Sequence, residues 1–432
     1  MAKTADSPGH PPARAEIVAT GEEIRSGALV DSNSAWLAEK LEEHGFRVDR
    51  LTAVGDDVQA LAELILEIAG RSQLAVVTGG LGPTPDDLTA EAAAQASGQD
   101  LVLNERGLEQ VESFFRARNR HMPALNRKQA MLPAGAELIE NPIGTAPGFS
   151  LSLSGCRFSF LPGVPGEMKA MFTQGVAPDL IERFSGRRCI RLVRTLRTFG
   201  LTESGAAERL AGFPKAFPGV DLGFRASFPE IQVKLSLPAE GDKPGSSRLE
   251  RASDWVKQAL GPAVFSTDGS PLEKIVGDRL RSRSAGVGVA ESCTGGLIGH
   301  LLTSIAGSSE YFLLSAVTYA NQSKIELLGV SPRTLEEHGA VSEQTALEMA
   351  RGIRKLSAGT YGLATTGIAG PGGGSPDKPV GTLCIGLVGP QREETRRLHY
   401  PFRERSQTKR IFAHAALDLL RRRMLDQSGN AG

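Results

Sequence analysis

The sequence predicts an α/β protein built from two three-layer α/β domains joined by a small α+β module. Three observations carry that expectation. Short apolar runs alternate with helix-periodic stretches over residues 15–78 and again over 271–388, the rhythm of parallel strands connected by helices. Between them, Arg191–Thr198 (RLVRTLRT) and Ile231–Leu237 (IQVKLSL) alternate apolar and polar residues with a period of two, which suits half-exposed strands. A length of 432 residues gives about three domains at roughly 150 residues each, long enough for each large domain to bury its own core. The expected boundaries are a disordered tail at 1–13, a first domain at 14–176, the module at 177–265 and a second domain at 266–426. No repeat relates the first and third regions.

In order, Ala15–Thr20 reads as a strand and Asn33–Glu43 as a helix with Trp36, Leu37 and Leu41 on one face. Arg47–Ala53 is a second strand, Asp57–Ala69 an amphipathic helix capped by Asp56 or Asp57, and Leu74–Thr78 (LAVVT) a buried strand. Glu105–Arg118 and Arg127–Met131 read as helical, and Phe158–Leu161 as a strand before a Gly/Pro turn. The module adds helices at Glu203–Leu210 and Arg248–Leu260, with Pro238–Ser247 as a loop. The third region reads helix Pro271–Ser282, strand Gly286–Ala290, helix Leu297–Ser304, strand Ala316–Tyr319 and helix Ser342–Leu356. Strands Tyr361–Thr365 and Thr382–Val388 follow, then helix Gln407–Met424, whose basic end Arg421–Arg423 suits a helix C-terminus.

Composition narrows the function. Lys and Arg total 49 against 49 Asp and Glu, so no global field holds nucleic acid or an acidic membrane, and 5% aromatic residues argue against a base-stacking binder. Small-molecule chemistry without direct nucleic-acid contact is the expectation. Cys156, Cys189, Cys293 and Cys384 are scattered, with no CxxC pair, which excludes a zinc or disulfide framework and fits a reducing cytoplasm. Met1–Pro12 has no apolar core of a signal peptide, and apolar stretches break short of about 18 residues, so a cytoplasmic protein without a membrane span is expected. Glycine, 50 of 432 residues against an average of about 7%, is in excess and clustered.

The first cluster is Thr78–Thr89 (TGGLGPTPDDLT), directly after the LAVVT strand. Gly79 and Gly80 let backbone approach a ligand, the following helix start offers N–H groups to phosphate, and Asp86 and Asp87 suit a divalent cation. A tight turn with Asp87 or Thr89 as helix cap is the alternative. Asn141–Gly148 (NPIGTAPG, with Thr145) and Leu161–Glu167 (LPGVPGE) are turn-rich loops able to join it. Asp56, after Gly55, is a second carboxylate for the same edge, and two carboxylates with a glycine loop suit metal-assisted phosphoryl or pyrophosphate chemistry.

The second cluster lies in the third region. Ala290–Gly296 (AESCTGG) puts Ser292 on a strand-to-helix turn with Gly295 and Gly296, where backbone N–H groups can stabilise an oxyanion. Gly307–Ser309 brings Ser309 to a helix start, and Thr318–Lys324 (TYANQSK) supplies Tyr319 and Lys324. With no histidine in an obvious motif, a Ser–Lys pair is the economical choice, because a desolvated lysine loses its proton near neutral pH. Helix caps, a core tyrosine and a surface lysine are the alternatives. Cys293 reads as a small packing residue, His300 being about two turns into the helix. Thr365–Gly374 (TTGIAGPGGG), with Thr366, Gly367 and Gly370, reads as a shaped ligand loop, and Arg403 and Arg405 are available to a phosphate.

Together with NPIGTAPGF, NRKQAMLP and LPGVPGEM, the TGGLGPTPDDLT segment resembles the molybdopterin-binding fold at the N-terminus of the CinA family of competence/damage-inducible proteins. The resemblance implies a divalent-metal (Mg2+ or similar) ADP-ribose pyrophosphatase giving AMP and ribose 5-phosphate, with Asp87 at the signature Asp and Asp56 at a second acidic position. The family's opening GTELLxG reads Gly21-Glu22-Glu23-Ile24-Arg25-Ser26-Gly27 here, so Glu22 replaces a Thr and Arg25 a Leu. The motifs from AESCTGG to KPVG at Lys378–Gly381 resemble the family's C-terminal half, similar to nicotinamide mononucleotide amidohydrolases that require no cofactor. Carried over, Ser292, Ser309, Tyr319, Lys324 and Thr366 fall on active-site positions and Arg405 on the substrate-phosphate position; either serine is the nucleophile, with the turn favouring Ser292. Ala320 stands where the family has Ser, and Leu314-Ser315 where a Gly pair is common. The implied substrates are nicotinamide mononucleotide and ADP-ribose, and a homo-oligomer, a dimer, is expected. The alternative function is a non-catalytic molybdopterin- or nucleotide-binding protein linked to competence or the DNA damage response.

Overall fold

Strands with apolar residues on both faces must be covered on both faces, and this requirement organises each half of the chain. The computed structural model describes residues 11–239, 244–402 and 404–426, so most of the expected tail, and Arg403, lie outside the described residues. The chain divides into two units, Met1–Arg191 and Leu192–Gly432.

The first unit contains β1 (Arg14–Thr20), β2 (Arg47–Val54), β3 (Leu74–Thr78), a short separate pair β4 (Leu101–Leu103) and β5 (Met131–Pro133), then β6 (Glu137–Ile139), β7 (Gly148–Leu153) and β8 (Cys156–Leu161). The main sheet runs β2-β1-β3-β8-β7-β6, with the first four strands parallel, β7 antiparallel to β8 and β6 antiparallel to β7. All five residues of β3 and all six of β8 are buried, which places them in the middle of the sheet. On one face, helix Val58–Arg71 lays Leu61, Ile65 and Ile68 against Val18, Ala75 and Val77. Asp57 is its cap, accepting from the Ala60 N–H at 2.9 Å. On the other face, Leu37 and Leu41 of helix Ser32–Glu43 meet Ile17, Val76, Met168 and Phe172.

The boundary expected near Ala177 falls too early. Helix Ala177–Arg183 buries Ala177 and Leu180 in the same core, and the first unit continues to Arg191. Pro178 lies where the π-helical segment Phe172–Val176 passes into this helix.

The second unit holds two sheets. β9 (Arg191–Phe199), β10 (Asp221–Ser227), β11 (Glu230–Pro238) and β12 (Val264–Ser266) pair in the order β10-β11-β9-β12, covered by helices Glu203–Arg209 and Pro244–Leu260 through Leu196, Ala206, Val233, Leu235, Ala252 and Val256. Residues 244–247, expected as loop, begin the long helix, and 240–243 lie outside the described residues. β13 (Val287–Glu291), β14 (Phe312–Val317), β15 (Tyr361–Gly367), β16 (Thr382–Val388) and β17 (Glu393–His399) form the larger sheet, ordered β14-β13-β15-β16-β17, with β14, β13 and β15 parallel. Helix Glu343–Ser357 covers one face; helices Leu272–Arg281 and Arg405–Asp426 cover the other. The chain leaves β13 for β14 on one side and then crosses to β15 on the other. The carboxyl end of β13 is therefore a topological switch point, where open α/β sheets bind ligands.

Gly362 and Gly386 bring helix Glu343–Ser357 against this sheet: a Cβ on either would lie 2.1 Å from the carbonyl oxygen of Ala350 or Ala346. We expect Gly386→Ala to lower stability by about 1–3 kcal/mol through overpacking. Gly223→Ala, on an exposed strand position with its nearest neighbour 4.0 Å away, is the control, and urea unfolding midpoints read the difference.

Candidate functional site

The larger sheet of the second unit aligns its sequence motifs by register. Glu291 on β13 pairs with Val317 on β14 and Thr365 on β15, so Ser292, Thr318 and Thr366 follow side by side at three adjacent carboxyl ends. Two backbone bonds extend the alignment past the strands: Ser292 N–H donates to the Thr365 carbonyl at 3.0 Å and Thr318 N–H to the Glu291 carbonyl at 2.9 Å. The turn that follows passes through Gly295 and Gly296 at φ +58° and +90°, left-handed conformations that favour glycine.

Glu291 is the residue that fixes this turn, and the sequence analysis passed over it. Fully buried, its carboxylate accepts from the N–H groups of Ile298 and Gly299, at 3.1 and 2.9 Å, and from Ser315 Oγ at 3.3 Å. The first turn of helix Leu297–Thr303 thus has its free N–H groups satisfied from inside the sheet. The N–H groups of Thr294 and Gly296 have no acceptor among the described residues. The Ser292 side chain, nearly buried, makes no hydrogen bond to the described residues.

Lys324 projects from helix Asn321–Leu328 into the same edge. It is 1% exposed and its Nζ donates to the carbonyls of Thr318 at 2.9 Å and Tyr319 at 3.1 Å, with no carboxylate partner among the described residues. Burial pulls its pKa below the ordinary lysine value; the Cys293 thiol, close enough to interact, opposes this weakly. A neutral amine has two N–H donors and one lone pair, so the two carbonyls use its donors and leave the lone pair free. Thr318 Oγ1 is buried without a hydrogen-bond partner among the described residues. Thr366 Oγ1 donates to the Ala340 carbonyl at 2.7 Å, which ties β15 to the loop before helix Glu343–Ser357.

Two of the expected residues sit differently. Tyr319 contributes its carbonyl to Lys324, while its ring is exposed and its hydroxyl accepts from Arg405 at 2.8 Å. Arg405 also donates to the Gly370 carbonyl at 2.6 Å, spanning the site's mouth without an ion-pair partner among the described residues. Ser309 does not join the others within the chain. It precedes β14, whereas Ser292 follows β13, and the parallel pairing puts the length of β14, about 20 Å, between the two edges. Gly367 is required by crowding, since a Cβ would lie 2.5 Å from the Thr382 carbonyl oxygen. Lys409, one helical turn beyond Arg405, was also missed. Its Nζ would come within 3.3 Å of a Cβ on Gly295, and its i, i+4 spacing from Arg405 was the available signal.

In the first unit, the carboxyl ends of β1, β2, β3 and β8 gather Thr20, Gly55, Gly79 and Gly163. A Cβ on Gly79 would lie 2.4 Å from the Thr20 carbonyl oxygen, and one on Gly80 2.3 Å from Thr89 Oγ1. The N–H groups of Gly80, Leu81 and Gly82 have no acceptor among the described residues. Asp87 is turned into its own loop, where Oδ2 accepts from Thr84 N–H at 2.8 Å and Thr84 Oγ1 at 2.6 Å. Of the two aspartates in this loop, Asp86 is the one whose charge reaches Asp56. Burial raises the Asp56 pKa, and the charges of Glu23, Asp86 and Glu22 raise it further against the Glu22 N–H it accepts. Thr145 Oγ1 accepts from Gln129 and its carbonyl from Gln110, so it organises the neighbouring loop. Glu22 forms an ion pair with Arg25, and both lie over Gly55.

These segments define a three-part class of protein. Residues 16–182 match the probable molybdopterin binding domain, 193–266 the damage-inducible protein CinA KH domain and 269–424 the CinA C-terminal domain. The chain is 50% identical over 411 residues to a CinA-like protein of Desulfosudis oleivorans, covering 95% of this chain and 100% of the relative. It is 43% identical over 409 residues to a CinA-like protein of Geobacter metallireducens, covering 95% and 98%. The chain belongs to the CinA-like protein family. A crystal structure of the protein CinA with unknown function from Thermoplasma acidophilum is similar at 34% identity, covering 40% of this chain and 97% of that one with a TM-score of 0.36. Among the described residues no helix is long and apolar enough to cross a membrane.

Burial pushes the Cys293 thiol up to about 12 and the Cys384 thiol up to about 11, so neither is a thiolate at neutral pH. In native protein, iodoacetamide should label Cys189, which is exposed, and spare the buried Cys156, Cys293 and Cys384. Peptide mass mapping reads this, and rapid labelling of Cys293 would revive it as a nucleophile.

Proposed function

We propose that the carboxyl edge of the larger sheet in the second unit is a Ser–Lys amidohydrolase site, which hydrolyses the amide of nicotinamide mononucleotide to nicotinate mononucleotide and ammonia. The observation that carries the reading is Lys324: a buried amine held by two carbonyls, without a counter-charge among the described residues, at the same sheet edge as Ser292, whose hydroxyl is unengaged there. In this scheme Ser292 Oγ attacks the amide carbon while its proton passes to Lys324 Nζ. The oxyanion is received by the N–H groups of Thr294 and Gly296. As the C–N bond breaks, Lys324 returns the proton to the leaving nitrogen and ammonia departs. Water then attacks the acyl-serine with Lys324 again as base, releasing the carboxylate and restoring Ser292. Arg405 and Lys409 supply two cations for the substrate phosphate, and the Tyr319 hydroxyl holds Arg405 in place.

Lys324→Met keeps the buried aliphatic stem and should cut the rate of ammonia release by at least about 100-fold; wild-type rates in this variant would end the scheme. The base must be neutral, so kcat/KM should rise with pH and level off at a pH below the ordinary lysine pKa of about 10.4, as the lowered value of Lys324 requires. EDTA should leave this activity unchanged.

A second reading concerns the first unit, favoured by the surplus negative charge at Asp56. Asp56 and Asp86 would hold a divalent cation such as Mg2+, and the free N–H groups of Gly80, Leu81 and Gly82 would receive a phosphate of ADP-ribose. Among the described residues no three His, Cys, Asp or Glu side chains converge as a metal site, so a cation here would take substrate phosphates and water into its shell, as Mg2+ commonly does. When bound it supplies charge neutralisation at the pyrophosphate. The Glu22–Arg25 pair stands over Gly55 at this edge. The double change Glu22→Thr with Arg25→Leu should raise Mg2+-dependent release of AMP from ADP-ribose several-fold, and EDTA should abolish it. No AMP from either protein would reject the reading.

A further inference from the structure

A cavity of about 820 Å3 lies within the second unit, between the small α+β module and the helices that back the larger sheet. Helix Pro244–Leu260 and β12 form one wall; helix Leu272–Arg281 and the end of helix Arg405–Asp426 form the other. It is separate from the carboxyl edge that carries Ser292 and Lys324. Its volume falls in the range of about 300–1,000 Å3 typical of small-molecule sites.

The chemistry of its lining is uneven. Arg421 is buried and satisfied, bound to Asp418 and to the Pro262 carbonyl at 2.6 Å. Arg283 gives N–H groups to the carbonyls of Arg279 and Met424. Asp268 is occupied by Ser266 Oγ and the Ser270 N–H, and Asp278 by Lys274 and Arg281. Arg279 stands apart. Its guanidinium has no ion pair or hydrogen bond among the described residues, and its Nε is shielded from water without an acceptor. Burial and the adjacent charges of Arg421 and Arg283 all act against its protonation. A guanidinium stays charged nonetheless, so the protein carries an uncompensated, partly desolvated cation in a cavity of ligand size.

We propose that this cavity is a binding site for a small organic phosphate of mononucleotide size, with Arg279 as the phosphate-binding residue. A guanidinium fork matches two phosphate oxygens, and an anion would relieve the repulsion among Arg279, Arg283 and Arg421. The exposed Lys257 lines the facing wall and adds a second cation to the cavity. Ile275, Val264 and Leu425 offer an apolar surface for the rest of the molecule. Because its two walls come from the small module and from the helices of the larger domain, an occupant would tie these parts together.

The test compares wild type with Arg279→Met and Arg279→Lys, using AMP and inorganic phosphate as probes in a neutral non-phosphate buffer. Thermal unfolding is followed with and without each probe, and AMP binding is measured by calorimetry. Without a probe, Arg279→Met should unfold at a higher temperature than wild type, because it removes an unpaired cation. AMP should raise the unfolding temperature of wild type, and its affinity should fall at least tenfold in Arg279→Met, with an intermediate loss in Arg279→Lys. A response to phosphate but not to AMP would overturn the mononucleotide size of the occupant, and equal AMP affinity in wild type and Arg279→Met would overturn the site. Ammonia release from nicotinamide mononucleotide should persist in Arg279→Met, which keeps the outcome independent of the amidohydrolase reading.

Discussion

The buried carboxylate of Glu291 is the contact on which the second unit's edge depends. A charge removed from water costs several kcal/mol unless polar partners replace the lost hydration. Glu291 has three such partners, on two elements: two N–H groups start helix Leu297–Thr303 and a hydroxyl comes from β14. Leaving β13, the chain must therefore turn sharply enough for the helix to begin above the carboxylate. Gly295 and Gly296 permit that turn, and Ser292 is held where three strand ends meet.

Lys324 shows the complementary use of burial. Glu291 is surrounded by donors that suit its charge, while among the described residues Lys324 has two carbonyl acceptors, and desolvation draws its pKa downward. One buried charged group thus builds the frame, and the other is held in conditions that favour its neutral form. In the first unit the balance is reversed: acidic side chains crowd around Asp56, and free N–H groups line the glycine loop. Both edges lie at strand carboxyl ends, yet one gathers a buried amine and a serine hydroxyl and the other gathers negative charge near a glycine loop.

Much of this was legible from residue types. The glycine clusters marked strand ends because backbone crowding there excludes a Cβ, as at Gly79, Gly80 and Gly367. Asp57 was readable as a cap and Cys293 as a packing residue. Glu291 was not singled out, because a glutamate beside a motif has no local signature, and the one signal for Lys409 was its i, i+4 spacing from Arg405. β10 and β17 were passed over, being rich in exposed polar residues and only partly buried in the sheet.

The sequence by itself determined the α/β class, the positions of the turns and the residue types at each edge, since periodicity and glycine placement are local properties. Which of those residues meet was decided by the tertiary structure. Parallel pairing of β13 and β14 sends Ser292 and Ser309 to opposite edges, although they are only 17 positions apart (309 − 292) in the chain. The fold of the TPDD loop turns Asp87 inward and leaves Asp86 to interact with Asp56. Strand register and hydrogen-bond satisfaction join residues distant in sequence, and composition cannot encode that choice.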